Sequence, residues 1–264
     1  MNPALRTAAS GMIAQQKMID VIANNLANVN TTGFKRSRAA FEDVLYETLQ
    51  GESLVDGRQG SDIAAPVQVG KGVRIANVLR FHQQGSVQMT GRPFDLAIEG
   101  EGFFQIQRPD GTTAFTRDGT FTLSNNGSLV TGAGYLIQPG ITVPADAAEV
   151  SVSTSGVVAM RPGGADATPV EIGRLELVRF ANPTGLESLG ENLYRETVAS
   201  GRPQNGQPQD PGFGRIVQGG LESSNVEIVV EMTDMIAAQR AYEINAKAIR
   251  ATDDMMQATG DLVR

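Results

Sequence analysis

His82 is the only imidazole in the chain, and with no cysteine present it is the one side chain suited to act as a base near neutral pH. A Ser/His/Asp triad would have to pass through it, with Ser86 and Asp95 available by count. No nucleophile-elbow pattern surrounds any serine. His82 therefore reads as a surface or strand residue, and the sequence offers no catalytic residue. A single His and no Cys also leave a zinc site or an iron–sulfur cluster without ligands, so neither a metal site nor a cofactor is expected.

Three glycine-containing patterns invite other chemistry. Gly100-Glu101-Gly102-Phe103-Phe104 begins like a nucleotide loop, but Gln105 follows and there is no GK[ST], so it reads as a strand entry with close backbone approach. Asp110-Gly111, Asp118-Gly119 and Asn126-Gly127 lack the alternating acids and terminal Glu of a calcium loop. Set between alternating strands, they read as hairpin turns. Lys35, Arg36 and Arg38 form a basic cluster with two readings, a solvated helix exit or a contact with acids of a neighbouring copy. Asp253 with Asp254, or Glu42 with Asp43, would supply those acids.

The elements that carry these residues differ between the ends and the middle. Leu5, Ala8, Met12, Gln15, Ile19, Ile22, Leu26 and Val29 recur at steps of three and four, an a/d seam that predicts a helix from about Pro3 to about Val29. Asn2 is placed to cap it and Gly33 to end it in the left-handed region. Ile228, Met232, Met235, Gln239, Tyr242, Ala246, Ile249, Asp253 and Met256 repeat that spacing, with Ser224 or Asn225 as the N-cap and Glu227 as a first-turn acid. Between them the period falls to two. Strands are expected at Phe103–Gln107, Thr113–Arg117, Thr120–Leu123, Leu129–Val130, Tyr135–Ile137, Glu149–Ser153, Val157–Met160, Glu171–Phe180 and Leu193–Glu196. Residues 48–72 and 200–214 are polar and rich in Gly, Gln and Pro, and read as linkers or loops.

The fold class is thus α+β: terminal helices pairing as a coiled-coil-like inner domain, an extended linker, and a central, mainly antiparallel β domain. The boundaries are 1–33 for the N-terminal helix, 34–72 for the linker, 73–218 for the β domain and 219–264 for the C-terminal helix. Across 264 residues the net charge is −7, which disfavours nucleic acid as a partner. No apolar run reaches the length of a bilayer span, so no membrane insertion is expected. The N-terminus lacks the basic and apolar regions of a cleavable signal.

Neither helix can bury its seam alone. The seam is also modest, since Ala8, Gln15, Gln239, Ala246 and Asp253 contribute little apolar area. At about 1.5–3 kcal/mol per fully buried large apolar side chain, against about 1–2 kcal/mol of backbone entropy per ordered residue, the ends are expected to be loose in the monomer and to order on assembly. Leu5, Met12, Ile19, Ile22, Leu26, Val29, Ile228, Met232, Met235, Tyr242, Ile249 and Met256 are the candidate subunit-packing residues.

Ala23-Asn24-Asn25-Leu26-Ala27-Asn28-Val29-Asn30-Thr31-Thr32-Gly33-Phe34-Lys35-Arg36 resembles the N-terminal signature of the rod and hook axial proteins of the bacterial flagellum. Gln239-Arg240-Ala241-Tyr242-Glu243-Ile244-Asn245-Ala246-Lys247-Ala248 resembles its C-terminal partner. The signature positions are Asn24, Asn25, Leu26, Asn28, Gly33, Phe34, Lys35, Gln239, Arg240, Tyr242 and Asn245. Residues 41–46, 100–105, 185–194 and 219–226 resemble the pattern of the distal part of the rod. A proximal rod subunit is the nearest rival. The resemblance implies a self-assembling helical tube in the basal body that crosses the periplasm, transmits motor torque to the hook and conducts exported subunits. It implies export without a cleaved signal peptide, and as partners further copies of the chain, proximal rod proteins, the hook protein, the surrounding P and L rings and the rod cap. Two other classes are weaker. A cell-wall hydrolase lacks paired carboxylates, and a secreted β-rich adhesin leaves the heptads at both ends without a purpose.

Overall fold

The computed structural model describes residues 3–50, 53–55, 62–64, 67–163 and 168–262. The chain divides into two compact units, each assembled from separated stretches of sequence. The first holds residues 1–26, 37–79 and 228–264, and the second holds 27–36 and 80–227. Parts of the 34–72 linker lie outside the described residues.

The first unit contains two long helices, α1 (Pro3–Ala27) and α2 (Ile228–Leu262), together with short strand pairs. α1 ends two residues before the seam does. A turn follows in which Thr31 N–H donates to Asn28 C=O at 3.1 Å, and Gly33, at φ +67°, lies beyond that turn and not at the helix end. α2 runs through Gly260. The stretch read as a linker contains paired strands: Ser37–Asp43 with Val73–Arg80, Tyr46–Gln50 with Val67–Gly70, and Ser53–Val55 with Asp62–Ala64. Gly72, between two of these strands, abuts the Ser10 hydroxyl on α1, and Val73 N–H donates to Ser10 Oγ at 3.2 Å.

The second unit is built on a seven-stranded antiparallel sheet. Its order is Phe121–Leu123, Leu129–Thr131, Leu136–Gln138, Phe104–Gln107, Thr113–Thr116, Leu193–Arg195 and Glu187–Gly190. Ala147–Val152, Val157–Pro162 and Val170–Arg174 form a three-stranded sheet, and Leu96–Glu99 pairs with Arg215–Gln218. The Ser200–Gly214 loop contributes Gln204–Gly206, which pairs with Leu177–Arg179.

Phe103 and Phe104 sit side by side in sequence because the central sheet is covered on both faces. Phe104 and Ile106 point to one side, where Phe104 meets Phe121 edge-on at 5.2 Å among Leu96, Ile98, Leu129, Ile137, Leu175, Leu177 and Ile216. Phe103 and Phe115 point to the other, against Val178, Phe180 and Tyr194. A strand covered on both faces loses the strict apolar/polar alternation.

Two of the three expected hairpins form, at Asp110-Gly111 and Asn126-Gly127. Asp118-Gly119 does not make one. The strand before it pairs with Phe104–Gln107 and Leu193–Arg195, while the strand after it pairs with Leu129–Thr131. Asp118 instead accepts from Thr120 N–H at 3.0 Å, and a Cβ on Gly119 would lie 1.6 Å from the Leu96 carbonyl oxygen. This glycine is required by backbone approach, not by turn chirality. Gly119→Ala should therefore cost about 3 kcal/mol or more, at the upper end of overpacking penalties. Gly111→Ala, with nothing within 4 Å of its Cβ, should cost only the left-handed φ penalty of about 1–2 kcal/mol. Denaturant midpoints of the two variants give the comparison.

Candidate assembly surface and its polar anchors

Two of the signature residues, Asn25 and Lys35, stand at buried polar anchors, one in each unit. In the helical unit Asn25 is 1% exposed. Its Nδ2 donates to Ser37 C=O at 2.7 Å and to Glu231 Oε2 at 3.1 Å, and its Oδ1 accepts from Ser37 N–H at 2.9 Å. The amide thus satisfies both backbone groups of Ser37, as a neighbouring strand would, while joining α1 to the first turn of α2. An aspartate or leucine could not supply the same donors and acceptor.

In the β unit Glu222 has no exposed side-chain surface and receives three charged or backbone donors. Lys35 Nζ lies 2.5 Å from its Oε1, Arg117 Nε lies 2.9 Å from its Oε2, and Gly85 N–H donates to Oε1 at 2.9 Å. Lys35 also donates to Gln83 C=O at 2.7 Å, and Arg117 to the carbonyls of Gly100 and Gly102 at 2.9 and 2.6 Å. Burial pulls the Lys35 ammonium below its usual range, and Glu222 opposes that pull. Asn225 adds a second stitch. It accepts from Arg36 N–H at 2.7 Å and donates to the carbonyls of Phe81 and Gln83 at 3.0 Å each, so its side chain does not cap α2. Gly33 N–H donates to Glu222 C=O at 2.8 Å, and a Cβ on Gly33 would come within 2.9 Å of the Arg117 backbone.

Lys35 therefore leaves the exposed basic cluster and pairs inside its own chain, whereas Arg38 is exposed. Its partner acid stands 187 residues away, a separation that no periodicity connects. Glu231 and Arg117, also buried, carried no sequence signal, Arg117 being read only as the end of an expected strand.

His82 is half-buried and lies just past the end of the Val73–Arg80 strand. It is packed edge-on to Phe103 at 5.5 Å and Tyr194 at 5.3 Å, and its Nδ1 is buried without a hydrogen bond. Asp95 does not accompany it, being bonded to Thr90 Oγ1 at 2.6 Å. Burial, followed by the charges of Lys35, Arg80 and Arg117, lowers the His82 pKa to about 3.

The helical unit holds the apolar surface. Among the described residues 21 large hydrophobic side chains are exposed, and 16 of them belong to this unit. On α1, Ile22 is buried and Leu5, Met12, Ile19 and Leu26 are half-buried. Val29, past the helix, is half-buried in the β unit. On α2, Met235 and Ile249 are half-buried, whereas Ile228, Met232, Tyr242 and Met256 are exposed. The buried face of α2 is Glu231, Ala238 and Thr252, one position off the heptad seam. Of the remaining signature residues, Phe34 is buried, Asn28 and Asn245 are half-buried, and Asn24, Gln239 and Arg240 are exposed.

Two outcomes follow from these anchors. Asn25→Ala orphans the Ser37 backbone groups and should cost about 2–4 kcal/mol, at about 1–3 kcal/mol per unsatisfied buried group; exposed Gln16→Ala should stay within about 0.5 kcal/mol in the same urea titration. For His82, the folded state stays neutral while the unfolded chain takes up a proton below pH 6.5. Stability should then fall as pH drops from 6.5 toward 3, by at most about 1.4 kcal/mol per pH unit from this group. His82→Gln should show a shallower fall than the parent chain between pH 6.5 and 4.5, measured by urea unfolding.

Three family models match the chain in order: flagella basal body rod protein over residues 5–35, the flagellar hook protein FlgE/F/G D1 domain over 97–160, and the flagellar basal body rod FlgEFG protein C-terminal region over 217–262. The flagellar basal-body rod protein FlgG of Caulobacter vibrioides is 47% identical over 259 residues, covering 98% of each chain. FlgG of Borreliella burgdorferi is 46% identical over 266 residues, covering 100% of each. The rod protein FlgF of C. vibrioides is 37% identical over 270 residues, covering 100% of this chain and 96% of the relative. The chain belongs to the flagellar basal-body rod protein family, a family of structural subunits of the flagellum and not of enzymes.

Proposed function

We propose that the chain is a distal rod subunit that polymerises into a helical tube, transmits torque from motor to hook and conducts exported subunits through its centre. The observation that carries this reading is the concentration of exposed apolar side chains on the helical unit. A monomer leaves that surface in water, and association removes it at about 25 cal/mol per Å² of apolar area. Contacts that are heterologous and do not close produce open filaments, so two sticky helices on one chain suffice for a rod. The β unit has a core of its own and does not depend on that association.

Within the family, identity to the C. vibrioides FlgG relative exceeds that to FlgF of the same organism, 47% against 37%. This favours the distal rod over a proximal position. The remaining partners are the proximal rod proteins, the hook protein, the P and L rings and the rod cap. The rod crosses the periplasm, and the subunit reaches it by export without a cleaved signal. Leu5, Met12, Ile19, Ile22, Leu26, Val29, Ile228, Met232, Met235, Tyr242, Ile249 and Met256 divide their packing between the helix pair, its own chain and neighbouring copies.

A surface substitution tests the reading without disturbing the fold. Val229 is 77% exposed in the helical unit, and Val198 is fully exposed in the β unit. Val229→Asp should abolish sedimenting polymer at concentrations where the parent chain assembles, with a melting temperature unchanged. Val198→Asp should leave both as they are. Polymerisation undiminished in Val229→Asp would remove the helical unit from the interface.

A further inference from the structure

Two contacts fix how α1 and α2 run past each other. Asn25 bonds Glu231 at 3.1 Å, and a Cβ on Gly11 would lie 2.9 Å from Asn245 Nδ2. Between these points lie 14 residues on α1 (25 − 11) and 14 on α2 (245 − 231), so the helices are antiparallel and keep step. Continuing that register, Pro3, the first residue of α1, stands opposite Asp253. α2 continues to Leu262. About nine residues of α2, roughly 13 Å at 1.5 Å per residue, thus extend past the end of α1.

Burial follows the same line. Thr252 is 9% exposed, and every side chain from Asp253 to Ala258 is exposed. A helical segment of this length gains little stability in water from its own hydrogen bonds. It carries two adjacent acids, Asp253 and Asp254, and Met256 at 51% exposure. The opposite end of the helix pair carries the complement: exposed Arg38, next to the Ser37 held by Asn25, with Ile228 at 48% and Val229 at 77% exposure.

We propose that the overhanging end of α2 docks on the opposite end of the helix pair of a second copy. Asp253 and Asp254 then face Arg38, and Met256 packs on Ile228 and Val229. The occupant is a copy of this chain because the two ends match each other in charge and in apolar character. The contact joins two different surfaces, so each copy offers one end to the copy before it and the other to the copy after it, and the contact gives the assembly a direction. This rests on the self-assembly reading above and names the residues of one of its contacts.

Because the chain has no cysteine, a Val229→Cys/Met256→Cys variant tests the contact directly. Within one chain these positions lie 27 residues apart on one helix (256 − 229), about 40 Å by helical rise, whereas a disulfide needs Cα atoms within about 7 Å. Under reductant the double variant should sediment as the parent chain does. Oxidised in the polymer, it should run on a denaturing gel as a ladder of multimers, and each single variant should stop at the monomer or dimer. Arg38→Glu should raise the concentration needed for assembly at least tenfold, and adding Asp253→Arg and Asp254→Arg should restore it. Sedimenting polymer without a ladder would overturn this contact and leave self-assembly standing. Absence of polymer from the parent chain would overturn self-assembly, and this contact with it.

Discussion

A carboxylate with no exposed surface is tolerated only when its charge is met by several donors, and Glu222 is the point at which the β unit meets that condition. Lys35, Arg117 and the Gly85 amide converge on it. Taking charges out of water costs several kcal/mol per ion, and removing one partner of such a pair costs about 3–5 kcal/mol. The arrangement therefore contributes specificity more than stability. Only one path of the chain brings residue 35 to residue 222 with the loop at 83–85 and the strand end at 117 around them. Gly33, Phe34 and Asn225 take their places along that path, and so does His82, kept neutral by burial first and by the neighbouring cations Lys35, Arg80 and Arg117 second.

Asn25 works by the same logic in the helical unit. Its amide replaces a missing strand neighbour for Ser37 and reaches Glu231 on α2. In both units a polar side chain from the N-terminal signature is bonded to a residue far along the chain, 187 positions later for Lys35 and 206 for Asn25. The core supplies the bulk of the stabilisation, through Phe104, Phe121 and their neighbours. Core side chains are exchangeable by size and shape; the amide of Asn25 and the ammonium of Lys35 are not.

Local chemistry was legible in the sequence because local rules govern it. The three-and-four spacing gave α1 and α2 to within a few residues, and Asp110-Gly111 and Asn126-Gly127 turn as their types demand. Asp118-Gly119 has the same letters and a different role, because its strands find partners elsewhere and pairing choice is not local. The same limit hid the anchors. Lys35 sits among basic neighbours, and neither a solvated helix exit nor a contact with a neighbouring copy describes it, since its acid is set by tertiary packing across 187 residues. His82 was read as superficial because nothing adjacent in sequence announces Phe103 and Tyr194. On α2 the heptad letters marked the more apolar stripe, yet the stripe turned inward is Glu231, Ala238 and Thr252. For a subunit made to be surrounded, the apolar stripe and the face buried in the single chain need not coincide.

That divergence gives the polar anchor its larger consequence. The face α2 buries in the single chain, Glu231, Ala238 and Thr252, carries little apolar area and so discriminates poorly between registers, since sliding α2 by one turn exchanges one small contact for another. Sliding it by a turn, about 5.4 Å, would however strand Asn25 and Glu231, both fully buried, without each other. The register is therefore held by hydrogen bonding and not by apolar fit, as a lone buried asparagine fixes register in coiled coils. Register in turn determines how far α2 extends past α1 and, on the docking proposed above, where the next copy would sit. On that proposal a single amide at residue 25 links the folding of one chain to the spacing of its polymer.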